Sequence, residues 1–157
     1  MKLMLRLALA VCCVAACAPR AFACSCEPVS LSKAKGRAEV VFAGTVLDSH
    51  RERAADGTDT YEWRVRFAVE QRWKGDAEGT VVVYTSGPCK SDFEAGEKYL
   101  VFARRQEGRG RLLTHTCMMT QRLEPGDTED LRKLGKARQP RNNPNGPNGA
   151  AAGRQER

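Results

Sequence analysis

The chain has 157 residues and a formal net charge of +7, enough for one domain of ordinary size and too short for two cores. The charge sits at the ends: residues 1–23 and the tail from Ala137 each carry a net +3, which leaves the stretch from Cys24 to Lys136 near neutral at +1. A nearly neutral core excludes a nucleic-acid binder that works by phosphate attraction, which needs a concentrated basic face.

Met1 to Ala23 has the three parts of an export signal: Lys2 at the start, an apolar run from Leu3 to Ala18 broken only by Arg6, and the small-x-small triplet Ala21-Phe22-Ala23. Cleavage after Ala23 makes Cys24 the first residue of the mature protein. A second reading stays open, because Val14-Ala15-Ala16-Cys17 fits the pattern at which bacterial lipoproteins are cut and acylated, here on Cys17. Either way the protein is expected outside the cytoplasm, secreted to the periplasm or beyond, or lipid-anchored. No later segment approaches the run of about 20 apolar residues that spans a bilayer.

Ser30 to Arg37 favours a short helix with Ser30 or Ser32 as its cap and Gly36 as its stop. Glu39 to Asp48 is apolar on both parities, which predicts a strand buried on one face and partly covered on the other, with Gly44 marking a bulge or sharp coil. Asp56-Gly57 predicts a turn. In the next strand Tyr61, Trp63, Val65, Phe67 and Val69 alternate with Glu62, Arg64, Arg66 and Glu70, so one face is core and the other wet. Trp73 to Asp76 turns the chain into a third strand, Thr80–Thr85, which ends at Ser86-Gly87-Pro88-Cys89. A fourth strand covers Lys98–Arg104 and a fifth Leu112–Cys117. Five short strands with hairpin-length links predict an all-β fold, a closed or nearly closed barrel of the OB-type Greek-key kind, with an open meander as the alternative. A short C-terminal helix, capped by Asp127 or Thr128, packs on it through Leu131 and Leu134. From Ala137 the Pro, Asn and Gly-rich tail lacks apolar residues larger than alanine and is expected to be disordered.

Of seven cysteines, Cys12, Cys13 and Cys17 fall in the leader, and Cys24, Cys26, Cys89 and Cys117 remain. In an exported chain four cysteines imply two disulfides, with three connectivities that spacing does not separate. The chain carries no pattern for catalysis: His50 and His115 stand apart with no zinc-spaced ligands around them, and there is no nucleophile elbow or phosphate loop. No enzyme activity and no cofactor are expected. Cys24-Ser25-Cys26 is one residue short of the redox dithiol pattern. What remains distinctive is a mature chain that begins on Cys24. Its α-amine, with a pKa near 8 in the unperturbed state, is partly neutral at physiological pH and able to donate a lone pair to a metal.

The order Cys24-Ser25-Cys26-Glu27-Pro28-Val29, Ala38 to Val46, Trp73-Lys74-Gly75, Cys89, Gly96 to Phe102 and Cys117 resembles the N-terminal, netrin-like domain of the tissue inhibitors of metalloproteinases. The resemblance implies a metalloprotease inhibitor whose partner is a zinc metalloprotease and which acts as a monomer. Cys24 would chelate the target's catalytic zinc through its α-amino nitrogen and carbonyl oxygen. Ser25 would point into the primary specificity pocket, Cys26, Glu27 and Pro28 would extend the edge lying in the cleft, and Ser86, Gly87 and Pro88 would flank it. The family's disulfide order implies Cys24–Cys89 and Cys26–Cys117. The family's third bridge and its C-terminal subdomain have no counterpart in this sequence, and Glu27 sets a negative charge beside the edge.

Overall fold

The structure, a computed structural model, describes residues 24–54 and 58–139. The leader with its two cleavage sites, the Asp56-Gly57 turn and the chain from Pro140 onward lie outside the described residues. Six strands form one sheet: β1 (Val40–Arg53), β2 (Tyr61–Lys74), β3 (Thr80–Ser86), β4 (Lys98–Arg105), β5 (Leu112–Leu113) and β6 (Gln121–Arg122). The order is β1-β2-β3-β5-β4-β6, and a further β1–β4 pairing closes five of them into a ring. All pairings are antiparallel except β3 with β5. The all-β, five-stranded barrel expected from the strand pattern is therefore what forms.

β1 closes the ring because it bends. Val40–Thr45 pairs with Lys98–Ala103 on one side while the whole strand pairs with β2 on the other, and the β1–β2 register shifts at three places, one of them between Ala43 and Gly44. Such irregularities raise local twist and let a strand turn a barrel corner. Gly44 is required there: a Cβ on it would lie 2.5 Å from the Ala68 carbonyl oxygen.

Two apolar layers follow from the two parities of β1. Inside the ring, Val40, Phe42 and Val46 meet Val65, Phe67 and Val69 of β2, Val83, Val101 and Leu112. The edge-on rings of Phe42, Phe67, Phe93 and Tyr99 fill this space, with centroids 4.9 to 6.4 Å apart. Outside it, Val41 and Ala43 with Leu100 and Phe102 are covered by two helices, α1 (Leu31–Arg37) and α2 (Thr128–Lys133), through Ala34, Leu31, Leu131 and Leu134. Ser30 caps α1 by accepting a hydrogen bond from Lys33 N at 3.3 Å. Lys74 Nζ donates to the carbonyls of Lys35 and Gly36 at 2.9 Å, which satisfies the other end.

Some expectations need correction. The fifth strand stops at Leu113, and residues 116–118 form a 3₁₀ turn closed by Met119 in the left-handed region at φ 67°. His115 stands at the N-cap position of that turn, without a side-chain cap hydrogen bond, rather than on a strand. Glu62 is buried rather than wet, while Tyr61 is exposed. Beyond Lys136, Arg138 and Arg72 exchange backbone hydrogen bonds of 2.9 and 2.7 Å.

Candidate functional site

Residues 24–29 have no regular secondary structure and run along the surface into the α1 cap. A chain segment of this kind normally frays. Here two covalent ties prevent it: Cys24 is bridged to Cys89 and Cys26 to Cys117, with Cα–Cα distances of 5.3 and 5.1 Å. This is the pairing implied by the resemblance. Cys24, Ser25, Glu27 and Pro28 are exposed.

The two anchors are themselves held in place. The Ser86–Cys89 turn follows β3 and needs Gly87 in the left-handed region, φ 77°, which an L side chain rarely adopts. Lys90 N donates to Gly87 O at 3.3 Å, and buried Ser91 N donates to Thr85 Oγ1 at 3.0 Å. The 3₁₀ turn bearing Cys117 is fixed by a threonine pair. Thr114 Oγ1 donates to Phe102 O at 2.7 Å, Phe102 N donates to Thr120 Oγ1 at 3.0 Å, and the two hydroxyls are 2.6 Å apart. Thr116 N reaches across to Cys89 O at 3.0 Å, and Thr116 Oγ1 to Lys90 O at 3.2 Å, so the two anchors are bonded to each other.

The structure thus brings Cys24, Cys26, Cys89 and Cys117 into one cluster, with Ser25, Glu27 and Pro28 on the strap above it and Ser86, Gly87 and Pro88 on the adjoining turn. Thr114, Thr116 and Thr120 were not legible as anchors. Threonine on an alternating run reads as ordinary strand, and nothing local marks a hydroxyl that will bond a strand 12 to 18 residues away in sequence.

Cys24 Sγ lies 3.7 Å from Cys117 Sγ and 3.9 Å from Cys26 Sγ. With every sulfur in a disulfide there is no thiol proton to share, so these are van der Waals contacts between stacked bridges. The same three sulfurs, all within 4.8 Å of one another, have the spacing of a metal site. Metal binding needs thiolates, and these sulfurs are oxidised. The sulfurs of the edge are therefore not available as metal ligands.

Charges around the edge are modest. His115, beside Cys117, has its pKa pushed below the ordinary 6.5 by burial. Lys90 pairs with Asp92 and lies 5.9 Å from the Trp63 ring centroid. Among the described residues no helix is long and apolar enough to cross a membrane. Disulfides persist in oxidising compartments, which fits an extracytoplasmic protein. Compared with known proteins, the chain matches no protein-family model and no curated sequence.

Proposed function

We propose that the protein is a secreted inhibitor of zinc metalloproteases, which it blocks by presenting Cys24 to the enzyme's catalytic zinc. The observation that carries this reading is the double tether: an exposed, extended strap is bridged at its first and third residues to two turns that are hydrogen-bonded to each other. Catalytic zinc keeps one position open for the water it activates. After cleavage behind Ala23, the free amine and carbonyl oxygen of Cys24 form a compact two-point ligand for that position and displace the water. Because the strap is fixed before binding, little conformational entropy is lost on docking. Ser25 then enters the primary specificity pocket, Glu27 and Pro28 continue along the cleft, and Ser86–Pro88 lie against its wall. The inhibitor performs no chemistry and carries no metal of its own.

The test joins N-terminal sequencing of the exported protein to inhibition assays against a panel of zinc metalloendopeptidases. The expected first residue is Cys24. Adding one alanine before it should weaken inhibition at least about 100-fold, as expected when a direct metal ligand is lost, with the melting temperature unchanged. A mature chain that starts at Cys17, or an extended form that inhibits as well as the native one, would reject the mechanism.

A further inference from the structure

A groove of about 190 Å³ opens beside the Cys26–Cys117 bridge. Its floor is apolar, made by Val29, Ala34 and Met118, and its rim is cationic or polar, made by Arg37, Arg104 and His115. Three separate elements supply that rim: Arg37 ends α1, Arg104 sits near the end of β4, and His115 stands at the N-cap position of the 3₁₀ turn. Several arginines on this protein face carboxylates and several do not. Arg66, Arg72, Arg111 and Arg122 all face carboxylates. The guanidinium groups of Arg37 and Arg104 have no ion pair or hydrogen bond among the described residues. Two exposed guanidinium groups thus border an apolar hollow, a combination suited to an anion that carries an apolar body.

We propose that this groove is a binding site for a single carboxylate carried on a compact apolar body, either a free small acid or the C-terminal residue of a peptide. The apolar body rests on Val29, Ala34 and Met118 while the carboxylate meets Arg37 and Arg104, whose planar donor forks match its two oxygens. The volume fits: a cavity of about 150 Å³ takes a benzene ring, so this groove holds one ring or one branched side chain and no more. The site does not use the Cys24 edge and stands or falls separately from protease inhibition.

Nuclear magnetic resonance titration of the full, disulfide-intact protein tests it, with benzoate and N-acetyl-leucine as probes and benzamide and N-acetyl-leucinamide as their neutral counterparts. Benzoate is expected to shift the amides of Val29 and His115–Met118 saturably, and to bind at least about 10-fold more tightly than benzamide. Preference for N-acetyl-leucine over benzoate assigns the site to peptide C-termini, and the reverse preference assigns it to free acids. Arg37→Gln with Arg104→Gln should weaken the preferred acid at least 10-fold, while Arg51→Gln, on the distant half of β1, leaves it unchanged. Both arginines are exposed and their side chains are unpaired among the described residues, so an unchanged amide spectrum outside the groove shows that the double variant is folded. Equal binding of acid and amide, shifts that never saturate, or retained affinity in the double variant would overturn the proposal.

Discussion

Arg111 illustrates what a single residue does in a barrel this small. Its guanidinium stacks 3.7 Å from the centroid of the Tyr84 ring and is ion-paired with Glu62, and both partners of that pair are largely buried. The strict alternation of β2 placed Glu62 on the wet face. It is buried because Arg111, stacked on Tyr84 of the neighbouring β3, pairs with it, and tertiary packing overrides a local pattern. The pair is incompletely satisfied: Glu62 Oε1 and Arg111 Nε are buried and find no hydrogen-bond partner among the described residues. Removing one partner of such a pair strands the other charge, at a cost of about 3–5 kcal/mol, whereas replacing both by apolar residues of similar volume is often neutral. Arg111→Met should therefore destabilise by roughly 3 kcal/mol, and Glu62→Leu with Arg111→Met should recover most of it. Urea denaturation of the three proteins checks this, and a double variant as unstable as the single one would show that the pair contributes more than its own repair.

At the scale of elements, the parts of the fold legible in sequence are those with a local physical cause. Val65, Phe67 and Val69 read as core because period-two alternation is written in consecutive residues. Val40–Ala43 reads as buried on one face and partly covered on the other because no polar residue interrupts it, and the structure buries both faces. Gly44 reads as an irregularity because an isolated glycine in a strand has few other uses. The fifth strand was overestimated for the opposite reason: Thr114, His115 and Thr116 alternate well, but Thr114 and Thr120 turn their hydroxyls to Phe102 and convert the stretch into an anchor for Cys117. The two-residue β6 had no pattern long enough to read, and its place beside Tyr99 and Leu100 is set by β4. The strap was legible as a cysteine spacing, and its pairing followed from resemblance alone. With Cys24–Cys89 in place, the second bridge closes a ring of only about 30 residues, the step from 24 to 26 and the stretch from 89 to 117, so its chain-entropy contribution is about 3.5 kcal/mol. Cys26→Ala with Cys117→Ala should lower unfolding free energy by about that amount. Under the proposed function, inhibition should fall more than 10-fold even where the variant is fully folded, because residues 24–28 regain the freedom of a terminus. Loss of stability with inhibition intact would show that one bridge suffices to hold the edge.

For the molecule as a whole, ring closure has an electrostatic component that responds to acid. Glu70 on β2 accepts a hydrogen bond from Thr45 Oγ1 on β1 at 2.7 Å and pairs with Lys98 on β4, so one carboxylate links the three strands at the closure. Burial pushes the Glu70 carboxyl up, but the hydrogen bonds from Lys98 and Thr45 outweigh it and hold the group below its ordinary 4.5. Asp48, hydrogen-bonded by Arg66 Nε at 2.6 Å, is likewise held below its ordinary 3.8. A carboxylate whose pKa is lower in the folded state leaves the unfolded chain holding more protons in the window between the two values, so stability rises with pH there. The contribution of Glu70 is complete above about pH 5 and declines as pH falls through 4.5 toward the folded value, beyond which both states are protonated and nothing further is lost. Thermal melts from pH 2 to 7 should show the native protein losing stability below pH 4.5. Glu70→Gln, already lacking the charge, should be less stable near neutrality and should converge on the native protein at the acid end. A constant gap between the two across the whole range would mean that Glu70 acts through packing alone, and that the closure of the ring is indifferent to its charge.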